Sequence, residues 1–448
     1  MNTKHIKAGV CAGIPLLLVL WNPLALAPSQ NLLFGVILLG IALWATELVD
    51  RTLVSVALLL VFTAISGVSM ERIFSFPLSA NFLTIVSSFL LSAGVVNSGV
   101  AKKLADDLLN RFCSSLVHLV FAACLLNGLL AAVIPQPVPR ITLLGSIYYV
   151  LLQQQDLKEN QRKAVLLSVF VTATATAMIL KNGDVVLNAA ALSIGGTDLS
   201  QMEWLKYMSL PSVLASVVLT FVYVIYQKKN LNAPIIMTGK KSEPLTRQGK
   251  ITAILMAIIV MLWVTESVHG ISQAYISLAG TAVMFLLGIL KLQDLKSVKI
   301  GLLLFLTAEF ALGNVLADSG IAASIAQILL RIMPTSESVY LPLFLLTLSI
   351  YLLHTLFGGA MGALAVSLPI VNALWGDVLP AEVISMAALV LVTCHYVFPY
   401  NQMTILVGYG QKYYEFRDVM QLAVILTVLV TAMLFGLYLP WWRLTGFL

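Results

Sequence analysis

The chain has 448 residues, 60% of them hydrophobic and 10% charged, with a mean hydropathy of +0.96 and a formal net charge of +6. That composition excludes a soluble globular protein of this length, and the four cysteines show neither zinc-like nor redox spacing. Apolar runs long enough to cross a hydrocarbon core of ~30 Å recur from end to end, so the chain reads as an all-α polytopic membrane protein with about eleven transmembrane helices.

In chain order, the first apolar segment covers 8–27, after Lys4 and Lys7. A signal peptide cut after Ala25-Leu26-Ala27 is the other reading. Pro28 would then follow the cut, which makes a poor cleavage site, so an uncleaved N-terminal span over 1–30 is expected. Spans over 31–47, 52–68 and 81–101 come next, then a hairpin over 116–152 and spans over 164–194 and 207–227. The stretch QKKNLNAPIIMTGKKSEPLTRQGK (227–250) is basic and polar, and gives a cytoplasmic linker over 228–250. Spans over 251–268, 272–290 and 300–330 follow, then a second hairpin over 338–376 and spans over 382–410 and 419–441.

Positive charge tests this layout, because Lys and Arg stay on the cytoplasmic side. With the N-terminus inside, twenty of the 26 Lys and Arg fall in the cytoplasm and four outside. Arg140 and Lys181 remain within the apolar layer. The count requires both hairpins to enter and leave on one face. It describes a multi-pass protein of the cell (inner) membrane, with the N-terminus cytoplasmic and the C-terminus outside. The net charge is then topology and gives no reason to expect nucleic acid.

The chain also repeats itself. Trp44-Ala-Thr-Glu47 matches Trp263-Val-Thr-Glu266, and Ser98-Gly99 matches Ser319-Gly320. The order of elements matches too: two spans, a Ser-Gly element, a re-entrant hairpin, a broken span and a closing span. Each repeat, 31–227 and 251–448, has five crossings. Five is odd, so the copies run in opposite directions, the usual construction of alternating-access carriers.

Each repeat is interrupted twice. The first hairpin breaks at Pro135-Gln136-Pro137, followed by Pro139 and Arg140; the second breaks at Gly358-Gly359-Ala360. The first broken span is interrupted at Lys181-Asn182-Gly183-Asp184 and the second at Pro399-Tyr400-Asn401-Gln402. Freed backbone groups inside lipid cost several kcal/mol each unless protein or a water-filled cavity satisfies them. The four breaks should therefore converge near mid-depth and form the substrate site.

Ionisable groups at that depth are expensive and usually functional. Arg140 and Lys181 are its two cations, and with helix N-termini they favour an anionic ligand. Against this, Lys181 could pair with Asp184, and Arg140 could snorkel to the cytoplasmic face. Asp184, Glu309, His354 and His395 are candidate coupling groups, since His titrates near neutrality. No metal-ligand set is apparent.

The stretches WATELVDRTLVSVALLLVFTAISGVSM (44–70), FLTAEFALGNVLADSGIAASIAQILLR (305–331) and FPYNQMTILVGYG (398–410) resemble the divalent anion/sodium symporter family of the ion transporter superfamily. These are carriers of dicarboxylates, citrate or sulfate. The resemblance implies eleven spans, an inverted repeat, a homodimer and elevator-type motion. Members of that family carry Ser-Asn-Thr at the hairpin tips and Thr-Pro-Pro-Asn in the broken spans; this chain departs from both patterns at all four breaks. The departure suggests that Arg140 and Lys181 stand in for bound sodium.

The expected function is secondary active transport of a small anion, a di- or tricarboxylate or related organic anion, coupled to sodium or protons and using no cofactor. A cation/proton antiporter or metalloid efflux carrier of the same superfamily is the alternative, and two central cations argue against it by repulsion. A membrane-embedded enzyme is remote: no HExxH, GxSxG or facing aspartate pair is present.

Overall fold

The structure, a computed structural model, describes residues 13–46, 48–235, 243–332, 339–357 and 359–448. Glu47 and Gly358 of the motifs above lie outside the described residues. What is described is helical. A lone antiparallel bridge joins Ser115 to Pro234, tying the start of the linker to the loop before the first hairpin.

After a helix over 13–21 (α1), the helices run α2 (Pro28–Thr46), α3 (Arg51–Ile65), α4 (Ala80–Asn97), α5 (Val100–Phe112), α6 (Leu116–Val133), α7 (Pro137–Gln153), α8 (Glu159–Thr176), α9 (Val185–Ile194) and α10 (Gln201–Tyr226). The same order then returns as α11 (Arg247–Val264), α12 (Gln273–Leu286), α13 (Ile300–Asp318), α14 (Ile321–Ile332), α15 (Tyr340–Phe357), α16 (Ala360–Trp375), α17 (Ala381–Cys394), α18 (Met403–Gly410) and α19 (Phe416–Thr445). Among the described residues, seven helices are long and apolar enough to cross a membrane by themselves.

Local chemistry sets the ends. Asp50 accepts from the Thr52 and Leu53 amides at the start of α3, and the Ser79 and Ser115 hydroxyls cap α4 and α6. Gly99 (φ +76°) and Gly320 (φ +78°) take the left-handed turn between α4 and α5 and between α13 and α14. The expected single span over 300–330 is therefore two helices: the Ser319-Gly320 turn ends α13, and α14 begins a new direction. The proline cluster also resolves differently from three breakers in a row. Pro135 lies in the break, but Pro137 opens α7 and Pro139 sits in its first turn, where missing N–H groups cost nothing.

The broken helices form the centre. Every residue of Ala164–Thr176 in α8 and of Val383–Cys394 in α17 is buried, as expected for helices surrounded by protein on all sides. By contrast α3, α10, α11 and α12 leave rows of large apolar side chains exposed, among them Leu53, Phe221, Ile254 and Leu286. Such rows suit a lipid face. The outer packing exchanges the two halves: α4 packs on α12, and α13 packs on α3. At one end Lys163 bridges Glu159 (2.6 Å) and Glu415 (2.5 Å), which ties α8 to α19 and holds the Glu159 carboxyl below the usual carboxylate range.

Candidate functional site

The first break lies between α8 and α9, with a single 3₁₀ turn at Lys181–Asp184. Its carbonyls are accounted for one by one. Asn188 Nδ2 donates to the carbonyls of Ala177 (3.2 Å), Leu180 (3.3 Å) and Lys181 (3.0 Å). Trp204 Nε1 donates to Met178 (3.0 Å), and the Ser209 hydroxyl to Ile179. The Gly183 carbonyl accepts from Arg140 Nη1 (3.1 Å), which also donates to Ile134 at the hairpin tip (3.1 Å). A broken helix survives in a low-dielectric core only with this kind of closure.

Arg140 is fully buried, so it does not snorkel to the surface. Its Nη1 joins the two carbonyls freed by the two breaks of the first half. Its Nε and Nη2 are buried with no hydrogen-bond acceptor among the described residues. Asp184 is the acidic side chain close enough to act on it through space. That carboxylate instead caps α9, accepting from the Leu187 amide at 3.1 Å. A charged group at mid-bilayer costs about 3 kcal/mol even on an insertion scale. A guanidinium with its Nε–Nη2 edge unused is thus a strong attractor for oxyanions.

The hairpin tip is fixed from two further directions. Gln136 Nε2 donates to the Ser88 hydroxyl of α4 at 2.7 Å, and the Pro135 carbonyl accepts from the Val185 amide at the start of α9. Asn182 and Gly183 are buried beside it. Gly183 is required by space: a Cβ there would stand 2.3 Å from the Ala177 carbonyl oxygen.

Lys181 is not brought to this cluster. Its Nζ bonds Asp198 (3.2 Å) and the Leu199 carbonyl, in the loop after α9. Neither the expected place in the anion site nor the alternative pairing with Asp184 is taken up by its side chain.

The second break, between α17 and α18, is closed without charge. Asn401 Oδ1 accepts from the Val397 and Phe398 amides (3.2 and 2.8 Å), and its Nδ2 donates to the His354 carbonyl (2.8 Å). His354 Nε2 returns a bond to the Asn401 carbonyl (2.9 Å), so the second hairpin is clasped to the second break. Gln402 donates to the Thr393 carbonyl (3.0 Å). Tyr400, expected in the site, is 40% exposed and stacks on Phe398. Pro399 is buried, as is Ala360 at the second tip, where Gly359 precedes α16.

His395 Nε2 meets the Thr427 hydroxyl at 3.0 Å, and its ring stacks on Tyr351 at 3.9 Å. Thr427 gives its own proton to Ala423 (2.9 Å), so the histidine is the donor. Nδ1 of both histidines is buried with no partner among the described residues, and the rings lie 6.1 Å apart. Glu309, in the middle of α13, is 1% exposed, and its Oε2 has no partner among the described residues.

The halves meet through the second segment of each broken helix: α9 packs on α16, and α18 packs on α7. Sequence reasoning missed Asn188 and Ser88. The first was visible as the one polar side chain between Val185 and Leu192, and the second as the residue ten before Ser98.

The family model "Sodium:sulfate symporter transmembrane region" matches residues 3–448. The chain is 22% identical over 411 residues to the chloroplastic dicarboxylate transporter 2.1 of Arabidopsis thaliana, covering 84% of this chain and 71% of that protein. It is 23% identical over 236 residues to the chloroplastic dicarboxylate transporter 1 of Spinacia oleracea, covering 47% of this chain and 40% of that one. Among solved structures, the YdaH transporter of Alcanivorax borkumensis superposes with a TM-score of 0.58 at 14% identity. That match covers 89% of this chain and 98% of that chain, and concerns the fold alone.

Proposed function

The chain belongs to the sodium:sulfate symporter family, and from that premise we propose that it is a secondary active carrier of a small dianion, of which a dicarboxylate is the class best supported. The observation that carries this is Arg140: a buried guanidinium at the joint of the first hairpin and the first break, with Nε and Nη2 unused. Its position gives it two roles. Nη1 draws the Ile134 and Gly183 carbonyls together, as a bound metal ion would. The remaining edge offers paired N–H groups to a carboxylate. Asn182 and Gln136, both buried and next to the two carbonyls that Arg140 joins, supply further polar groups. The dicarboxylate carriers among the relatives support the substrate class.

Transport would proceed by alternating access between the two inverted halves, 31–227 and 251–448, joined by the cytoplasmic linker 228–250, after the N-terminal span 1–30. Elevator-type movement of the hairpins and broken helices against α2–α4 and α11–α13 suits the exposed apolar rows on the outer helices. A homodimer in the cell membrane, with the N-terminus inside and the C-terminus outside, completes the proposal. Because a fixed cation occupies the first half, sodium is not required there, and Lys181 is not asked to replace it.

The test is a thermal-stability screen of the purified protein with succinate, malate, citrate and sulfate, each in sodium chloride and in choline chloride. A ligand at a hundred times its Kd stabilises by about 2.7 kcal/mol. A shift from a dianion, equal in both salts and lost in Arg140→Gln, is expected. A shift that appears only in sodium overturns the fixed-cation role. A shift with pH or a cation and none with any anion favours an antiporter, for which the two unpartnered histidine Nδ1 atoms would be the starting point.

A further inference from the structure

The two halves place different residues at one corresponding position. Ser88 stands ten residues before the Ser98-Gly99 turn, and Glu309 ten residues before Ser319-Gly320, and both glycines turn the same way (φ +76° and +78°). In the first half Ser88 accepts the hairpin-tip bond from Gln136 at 2.7 Å. In the second half the same position holds a carboxyl group.

Packing brings Glu309 to the level of the second tip. Leu306 and Phe310 of α13 share a cluster with Val185 and Ala190 of α9 and with Met361 of α16. One turn on, Gly313 faces Ile194 and the Ala365 carbonyl. The three helices thus run side by side in one direction. Glu309, one helical turn from both Leu306 and Gly313, is level with the start of α16 and with the middle of α9, near Ala190. Its Oε2 is buried without a partner, while Ser88 is engaged.

We infer that Glu309 is the proton-carrying group of the second half: neutral when protonated, it lets the second hairpin close over a bound dianion, and the proton travels with that dianion. This rests on the anion-carrier proposal and adds the coupling ion to it. An ionised Glu309 beside the start of α16 would oppose closure of the second tip over a dianion, and protonation removes that opposition. Proton and anion binding are then linked, and linkage is reciprocal.

Among the described residues the charged surroundings are few. Arg51 at the start of α3 is the cation whose field reaches Glu309. The turn before α4 carries Glu71 and Arg72, and Arg72 is engaged by Asp318 at the far end of α13 (2.7 Å). Arg331 lies at the end of α14, and Asp184 precedes α9. Within their bounds α9 and α16 contribute no titratable group.

The test measures sulfate binding to the full-length purified protein between pH 8 and 5.5 in choline chloride. Sulfate keeps its charge across that range, so any pH dependence belongs to the protein. Wild type should tighten as pH falls, by up to tenfold per unit while Glu309 is ionised. Glu309→Gln should bind at every pH with the acid-limit affinity. Should that variant fail to fold, Glu309→Ser, which installs the residue of the first half, is expected to be equally flat. A wild-type pH profile surviving in either folded variant, or wild-type affinity that is flat with pH, overturns the inference and leaves the anion proposal standing. Wild type that binds neither sulfate nor succinate at any pH overturns the anion proposal and this inference with it.

Discussion

The two breaks solve one problem in opposite ways. The first is held by a cation: Arg140 pulls together the Ile134 and Gly183 carbonyls, and Asn188 gathers three more. The second is held by a neutral exchange in which Asn401 and His354 each give and receive one bond through side chain and backbone. A charge-assisted bond is roughly twice as strong as a neutral one. The first half is therefore clamped in place, whereas the second keeps its carboxyl and imidazoles free of fixed ions. On the proposals above, anion recognition falls to the first half and ion coupling to the second.

The sharpest way to break the comparison is Arg140→Gln. It removes the charge but keeps a donor for one carbonyl, and it should reduce dianion uptake into liposomes more than a hundredfold. Uptake within threefold of wild type would show that the cation merely fastens the hairpin. Next comes a pair of glycines. Gly183→Ala drives a methyl to 2.3 Å from the Ala177 carbonyl and should cost at least tenfold in transport. Gly359→Ala meets nothing within 4 Å, at an extended φ of −164°, and should leave transport and Tm unchanged. Asn401→Ala leaves the Val397 and Phe398 amides without their acceptor and the His354 carbonyl without its donor. A loss of at least about 3 kcal/mol in a denaturation assay in detergent is expected, because three groups lose their partners at about 1–3 kcal/mol each. Lys181→Ala should also have little effect. Its partner Asp198 is 85% exposed, and such pairs contribute under about 1 kcal/mol, so uptake should stay within threefold of wild type.

Much of this was legible in the residues. Prolines, glycines and charges inside apolar runs marked all four interruptions, because each residue type has a definite backbone cost in a helix. The repeated order of elements was legible for the same reason. Side-chain direction was not. Lys181 sits where the pattern put it, yet its four-carbon stem reaches Asp198, seventeen positions on, and only the fold of the loop after α9 decides that. Tyr400 failed similarly: a 3₁₀ turn has no helical periodicity to say which way its middle residue faces. Glu309 was visible as a buried carboxyl. Its equivalence to Ser88 needed the ends of α4 and α13.

The crossed packing of α9 on α16 and of α18 on α7 makes each half the template for the other. The proposed site draws on both halves, so a chain cut within 228–250 should work only by fragment complementation. The two pieces, co-expressed, should reassemble and bind one dianion per pair, while either piece alone binds none. For the same reason the carrier should show a simple hyperbolic isotherm per chain, since the crossing leaves no room for two independent sites.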